Sequence, residues 1–240
     1  MVRWLAALLL LMPSAAWADC MPYTGEKLVF SVGWEFINAG TATMDTSATK
    51  DGWRIATQAN TNKFLDMFKK VRDTITAEGL CVNGRMQSTL FDVEQHERSY
   101  HASKQTRFLW KENKVLYTQN KQTDSYDVPA GHLSVMDAFF AVRQMQLKPG
   151  QTISLPVFDS RKRYEVVVGI ESKLEKLPAP WGGFVDCVVV TPQLKTEGIF
   201  SSIGAIRIWL TNDSRRIPLK MTAAIKIGHI VAILDSYSEK

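Results

Sequence analysis

The feature that most constrains this chain is a two-residue alternation of apolar and polar side chains, repeated in short segments and punctuated by turns. Leu28, Phe30, Val32, Trp34 and Phe36 fall on one side of the first such segment, while Lys27, Ser31, Gly33 and Glu35 fall mainly on the other. Successive side chains of a strand point to opposite faces, so this pattern predicts a half-buried β-strand. Asn38-Ala39-Gly40 makes a tight connection to a second strand, and Lys50-Asp51-Gly52 carries the Asp-Gly signal of a hairpin. Comparable segments run to residue 128 and resume after Pro149-Gly150, about a dozen strands in all.

Two stretches break the alternation. In residues 134–145, Val135, Ala138, Phe139 and Val142 share one face at helical spacing, with Ser134 as N-cap and Asp137 three residues on. Residues 62–68 predict a shorter helix. Connections elsewhere are mostly short, which implies antiparallel pairing, because a parallel crossover needs a dozen or more residues. So many twisted strands do not stay flat; the sheet is expected to curl into a barrel or half-barrel, or to fold into two packed layers.

The N-terminus reads differently. Arg3 precedes an apolar run from Trp4 to Met12, then Pro13 and a small-residue stretch ending Ala16-Trp17-Ala18. That is the pattern of a secretory signal peptide cleaved after Ala18, and the run is about half the roughly 20 residues a membrane span requires. Asp19 stands where a lipidated cysteine would need a small neighbour, so Cys20 is not expected to carry lipid. Residues 19–240 then form one domain, with no later apolar stretch of spanning length. An exported chain is periplasmic or secreted.

Lys+Arg 29 against Asp+Glu 24 gives +5 for the whole chain, and only Arg3 is lost with residues 1–18. Basic residues cluster beside turns at Lys69-Lys70-Arg72, Arg161-Lys162-Arg163 and Arg215-Arg216. Such clusters are ordinarily solvated strand ends, and their sharper reading is attraction to anionic lipid headgroups. No basic helical stripe and no recognition motif points to nucleic acid. Of the cysteines, Cys187 sits in the apolar run 184–190, where a thiol packs as a small hydrophobe. Cys20 and Cys81 lie in connecting segments and are the expected disulfide pair.

Groups for chemistry do not converge. His96 and His101 would point to opposite faces of a single strand, and His132 and His229 stand apart, so no metal site is read. There is no Gly-x-Ser-x-Gly elbow and no phosphate-binding glycine loop. The pairs Asp73 with Glu78 and Asp92 with Glu94 read as ordinary strand carboxylates rather than a glycosidase pair. No catalytic residue, metal or cofactor is assigned.

Several stretches, in order and spacing, resemble the bacterial DUF3108 family of exported domains of unknown function. They are Pro22-Tyr23-Thr24-Gly25-Glu26-Lys27-Leu28, Val32-Gly33-Trp34 and Asn38-Ala39-Gly40-Thr41-Ala42, then Val71-Arg72-Asp73 and Asp137-Ala138-Phe139-Phe140-Ala141-Val142-Arg143. Leu147-Lys148-Pro149-Gly150, Pro156-Val157-Phe158-Asp159, Ile208-Trp209-Leu210-Thr211-Asn212-Asp213, Arg216-Ile217-Pro218 and Gly228 continue the series. Val135-Met136 departs from the family's commoner acidic-Pro start of this helix. The resemblance implies a secreted, mainly β domain similar to the open curved sheets of periplasmic lipid and lipoprotein carriers, and it transfers no catalytic residue.

The strand and helix aromatics then have two readings. Trp34, Phe36, Phe108, Trp110, Phe139 and Trp209 either fill the core, as aromatics usually do, or line an apolar pocket under a helical lid. The second reading makes the chain a non-enzymatic periplasmic protein that binds a lipid, lipoprotein acyl group or other amphipathic ligand and serves the cell envelope. The alternative is an interaction module that docks onto an envelope protein through a sheet edge.

Overall fold

In the computed structural model, described for residues 20–239 apart from residues 36, 69, 197–198, 202–205 and 226–227, the alternating segments join one continuous sheet. The expected leader lies outside the described residues. The first half comprises β1 (Glu26–Trp34), β2 (Ile37–Ala48), β3 (Gly52–Thr61), the short helix α1 (Lys63–Asp66), β4 (Arg72–Val82), β5 (Arg85–Glu97), β6 (Tyr100–Leu109), β7 (Lys114–Gln119) and β8 (Gln122–Asp127). Helix α2 (Val135–Gln144) separates it from the second half. There follow β9 (Thr152–Asp159), β10 (Lys162–Ile170), β11 (Glu175–Pro178), β12 (Phe184–Thr196), β13 (Ile199–Ser201), β14 (Ile206–Thr211), β15 (Pro218–Ala224) and β16 (His229–Glu239).

From edge to edge the order is β8-β7-β6-β5-β4-β3-β2-β1-β16-β15-β14-β12-β10-β9, with β11 and β13 paired to β12 off this path. The sheet has 16 strands rather than the dozen read from the sequence. β11 and β13 are too short to show alternation, and the stretch expected as one strand over residues 164–176 divides into β10 and β11. The last strand, β16, pairs with the first, β1, so the two halves are hydrogen-bonded through the chain's ends. Bulges at Val29/Phe30, Val32/Gly33, Glu78/Gly79 and Trp209/Leu210 add local twist and bend the sheet around its inner face.

Cross-strand partners trace that inner face. Gly40, Val32, Ala232, Met221, Ile208, Val190 and Ile170 follow one another in register across seven strands. Helix α2 lies against the inner side of the second half: Ala138 and Val142 pack into the cluster of Leu155, Val166, Val168, Val190 and Leu210.

The edges β8 and β9 do not close the barrel by a hydrogen-bonded ladder. Side chains span the seam instead. Phe158 of β9 packs on Tyr126 of β8 and Phe108 of β6, with ring centroids 5.5 and 6.4 Å away. Arg161 reaches Asp124 at 3.5 Å and lies over the Tyr117 ring. At the start of the described residues Cys20 and Cys81 are joined by a disulfide spanning 61 residues of sequence, and Cys187 is free and buried. A loop of that length removes roughly 4 kcal/mol of chain entropy from the unfolded state.

Gly79 shows how tightly β3 and β4 approach. Trp53, fully buried, lies across it, and a Cβ at position 79 would stand 2.1 Å from Trp53 Cζ2 and 2.5 Å from the Gln87 carbonyl. Gly79→Ala is therefore expected to destabilise the domain by about 1–3 kcal/mol, or more if Trp53 cannot shift. Chemical denaturation with an unchanged m-value checks it.

Candidate functional site

At one end of the inner face the packing is incomplete. Val32 and Trp34 end β1, Ala39-Gly40-Thr41 begin β2, and Ala59-Asn60-Thr61 end β3; with Leu65, Phe68, Val71, Ile225 and Ile230 they line an open, mostly apolar groove of about 640 Å³. Its floor depends on Gly40, because a Cβ there would stand 2.0 Å from the Asn60 carbonyl oxygen. The register Gly40↔Thr61 leaves no room for a side chain at this point.

Helix α1 forms one wall. Asn62 caps it by accepting from the Leu65 amide at 2.9 Å while its own side-chain amide donates to the Asn38 carbonyl at 2.6 Å. Arg72 donates to both carboxylate oxygens of Asp66, at 2.6 and 3.1 Å, and Thr61 donates to the same carboxylate. The Arg72 bonds, then that of Thr61, hold the Asp66 carboxyl below its usual range. Polar clips thus fix the helix, while Phe64, Met67 and Phe68 in and beside it are 54, 70 and 60% exposed. Exposed large apolar groups clustered beside an apolar groove are unusual for a surface with nothing to cover it.

The six aromatics singled out from the sequence do not meet in one place. Trp34 lines the groove. Phe36 lies outside the described residues. Phe108 is buried and stacked on Trp110 at 5.2 Å, and the Trp110 indole donates to the Ser88 carbonyl at 2.6 Å; both belong to the core. Phe139 lines a smaller cavity of about 350 Å³ between α2 and β9, β10, β12 and β14, with Val142, Val166, Val168 and Ile208. Trp209 is paired with Val189 and Lys220, on the face opposite Ile208, where its indole donates to Glu175 at 2.9 Å. Alternation alone could not reveal Leu65 and Phe68 as groove residues, since they lie in the helical break.

A second concentration of unusual groups is closed to solvent. Arg143, at the last turn of α2, is 0% exposed and forks onto Glu26 of β1, 1% exposed, through two 2.7 Å bonds. Its Nε and Nη2 donate to the Arg216 and Arg215 carbonyls at 3.0 and 3.1 Å, and its guanidinium lies 3.9 Å from the Tyr23 ring centroid. Arg216 adopts a left-handed backbone, φ 48°, a cost of order 1 kcal/mol for a non-glycine residue. At the other end of the helix Asp137 is wholly buried; Ser88 donates to it, Ser134 caps its amide, and its Oδ1 has no partner. Burial pushes its carboxyl up to about 7, against the opposing hydrogen bonds from Ser88 and Ser134. No cavity described above is lined by Arg143, Glu26 or Asp137, so these groups fasten the helix.

One histidine reading is corrected. A hairpin turn separates His96 from His101, placing them directly opposite across β5 and β6 with rings 5.3 Å apart, not on opposite faces of one strand. Among the described residues no three His, Cys, Asp or Glu side chains are placed to hold a metal, and none of the described helices is long and apolar enough to cross a membrane.

Fold and groove together define a β-barrel-like protein whose single antiparallel sheet stays open and is plugged by a helix. Residues 29–235 match the family described as protein of unknown function, DUF3108, and the chain belongs to it. It is similar in fold to a β-barrel-like protein of domain of unknown function DUF1849 from Brucella abortus, at 10% identity and a TM-score of 0.58, over 90% of this chain and 97% of that one. No curated protein matches it.

Two measurements test the helix anchors. Arg143→Met leaves Glu26 buried and unpaired, and is expected to cost about 3–5 kcal/mol in denaturant unfolding. Asp137 carries a folded-state value above the unfolded carboxylate's roughly 3.9, so its stabilising contribution is full below that and is lost as pH rises through about 7. Between about pH 5 and about pH 8 that loss is roughly 2–3 kcal/mol, and Asp137→Asn should flatten the slope.

Proposed function

We propose that this protein is exported to the periplasm and binds an amphipathic, acyl-bearing ligand, a lipid or the lipid part of a lipoprotein, in service of the cell envelope, without catalysing a reaction on it. The observation that carries the reading is the groove formed by β1, β2, β3 and α1. Its volume of about 640 Å³ falls within the roughly 300–1,000 Å³ of ligand sites, and its lining is mostly apolar, as such sites are. Trp34, Leu65 and Phe68 supply large apolar contacts, and Asn60, Thr61 and Thr41 supply the few polar groups that orient a ligand. Groups suited to acid–base chemistry do not line it.

Docking of an envelope protein through a sheet edge is favoured less. β8 and β9 are 6 and 8 residues long, and the Phe158–Tyr126 and Arg161–Asp124 contacts turn them toward each other. Long exposed edges are what strand addition uses.

Native mass spectrometry of the protein purified from a bacterial periplasm, followed by organic extraction, is expected to find a stoichiometric acyl lipid. Ala59→Phe, which fills the groove from its floor, should remove that lipid while changing stability by no more than about 1 kcal/mol. A lipid-free parent that stays free after lipid is added back would overturn the reading.

A further inference from the structure

We propose that the α1 end of the barrel docks on the surface of an anionic phospholipid bilayer, seating the mouth of the groove against the membrane. The inference rests on the acyl-ligand reading for its purpose, though Phe64 and Met67, which carry it, lie outside the groove's lining. Phe64 and Met67 do not line the groove and stand 54 and 70% exposed; Phe64 packs edge-on against Phe68 at 5.6 Å. Trp34, Ile37 and Ile225 extend the same apolar rim, with exposures of 36, 43 and 47%.

Charge complementarity selects the occupant. Lys63 and Lys70 are exposed at either end of the α1 segment, and Arg98 joins them because its backbone amide donates to the Lys70 carbonyl at 2.8 Å and its guanidinium to the Phe68 carbonyl at 3.1 Å. Asp66, the one carboxylate within α1, is ion-paired with Arg72, leaving Lys63, Lys70 and Arg98 as the cations around the exposed Phe64 and Met67 side chains. The outward face therefore combines aromatic and thioether side chains with basic ones. That combination suits the boundary between acyl chains and anionic headgroups, where each basic residue contributes about 1 kcal/mol and the attraction is screened by salt.

Sedimentation with vesicles of phosphatidylcholine alone, and of phosphatidylcholine mixed with phosphatidylglycerol, tests this on the mature chain. Binding is expected on the mixed vesicles, weakening with added salt, and much less on the neutral ones. Lys63→Glu with Lys70→Glu should weaken it by at least about tenfold, and Phe64→Ser with Met67→Ser by about tenfold or more. All four side chains are exposed, so the variants should keep the parent's unfolding midpoint. Equal binding to both vesicle types, no binding to either, or binding indifferent to the lysine pair would overturn the proposal. Separation from the groove reading comes from Ala59→Phe, which should still sediment with mixed vesicles after losing its co-purifying lipid.

Discussion

The open seam of the barrel makes helix α2 indispensable, and the buried pair Arg143–Glu26 is what holds α2 in place. A sheet whose edges do not hydrogen-bond to each other needs something else to keep its inner face from water. Here the helix packs against the second half of the sheet, and Arg143 reaches from its last turn to β1, near the middle of the strand order. Its remaining donors take up the Arg215 and Arg216 carbonyls between β14 and β15. One side chain thus ties together the helix, the first strand and the second half of the sheet. Desolvating two charges is expensive, and the fork of hydrogen bonds together with the Tyr23 ring offsets that cost.

Because α2 covers the inner face of the second half, the cavity left beneath it is the smaller, about 350 Å³, and the larger apolar space lies toward the first half. The apolar row that starts under the helix at Ile170 and Val190 runs out to Val32 and Gly40, and there no helix of comparable length covers it. Helix α1 is a single turn, clipped down by Asp66 and Arg72, and it walls the groove without filling it. The asymmetry between a well-anchored long helix and a short marginal one therefore separates a sealed core from an accessible apolar site. The fold likeness to the DUF1849 protein concerns this architecture and not the occupant.

Much of this could be read in advance. The period-two pattern of Leu28, Phe30, Val32 and Trp34, the Asp51-Gly52 hairpin and the Ser134 cap with its amphipathic face each act over a few residues, and each produced the element expected. The family resemblance was legible too, and its segments around Tyr23, Glu26, Asp137, Arg143 and Arg216 are those that meet at or beside the helix anchors. What they do there was not legible, since Glu26 and Arg143 are 117 residues apart in the chain. Likewise His96 and His101 became neighbours only through a turn that their spacing did not reveal.

The division follows from the range of the forces involved. Alternation, turn chemistry and capping are local, so the sequence by itself determined that this chain makes antiparallel strands, one substantial helix and a strongly curved sheet. Whether an aromatic residue fills the core or lines a groove depends on register and curvature, which are sums over many strands. Trp34 and Phe108 lie on equally convincing strands, yet Trp34 lines an open groove while Phe108, like Trp209, is buried in the core. Only the tertiary structure decided which of them faces an unfilled space, because a cavity is defined by what the distant parts of the chain leave uncovered.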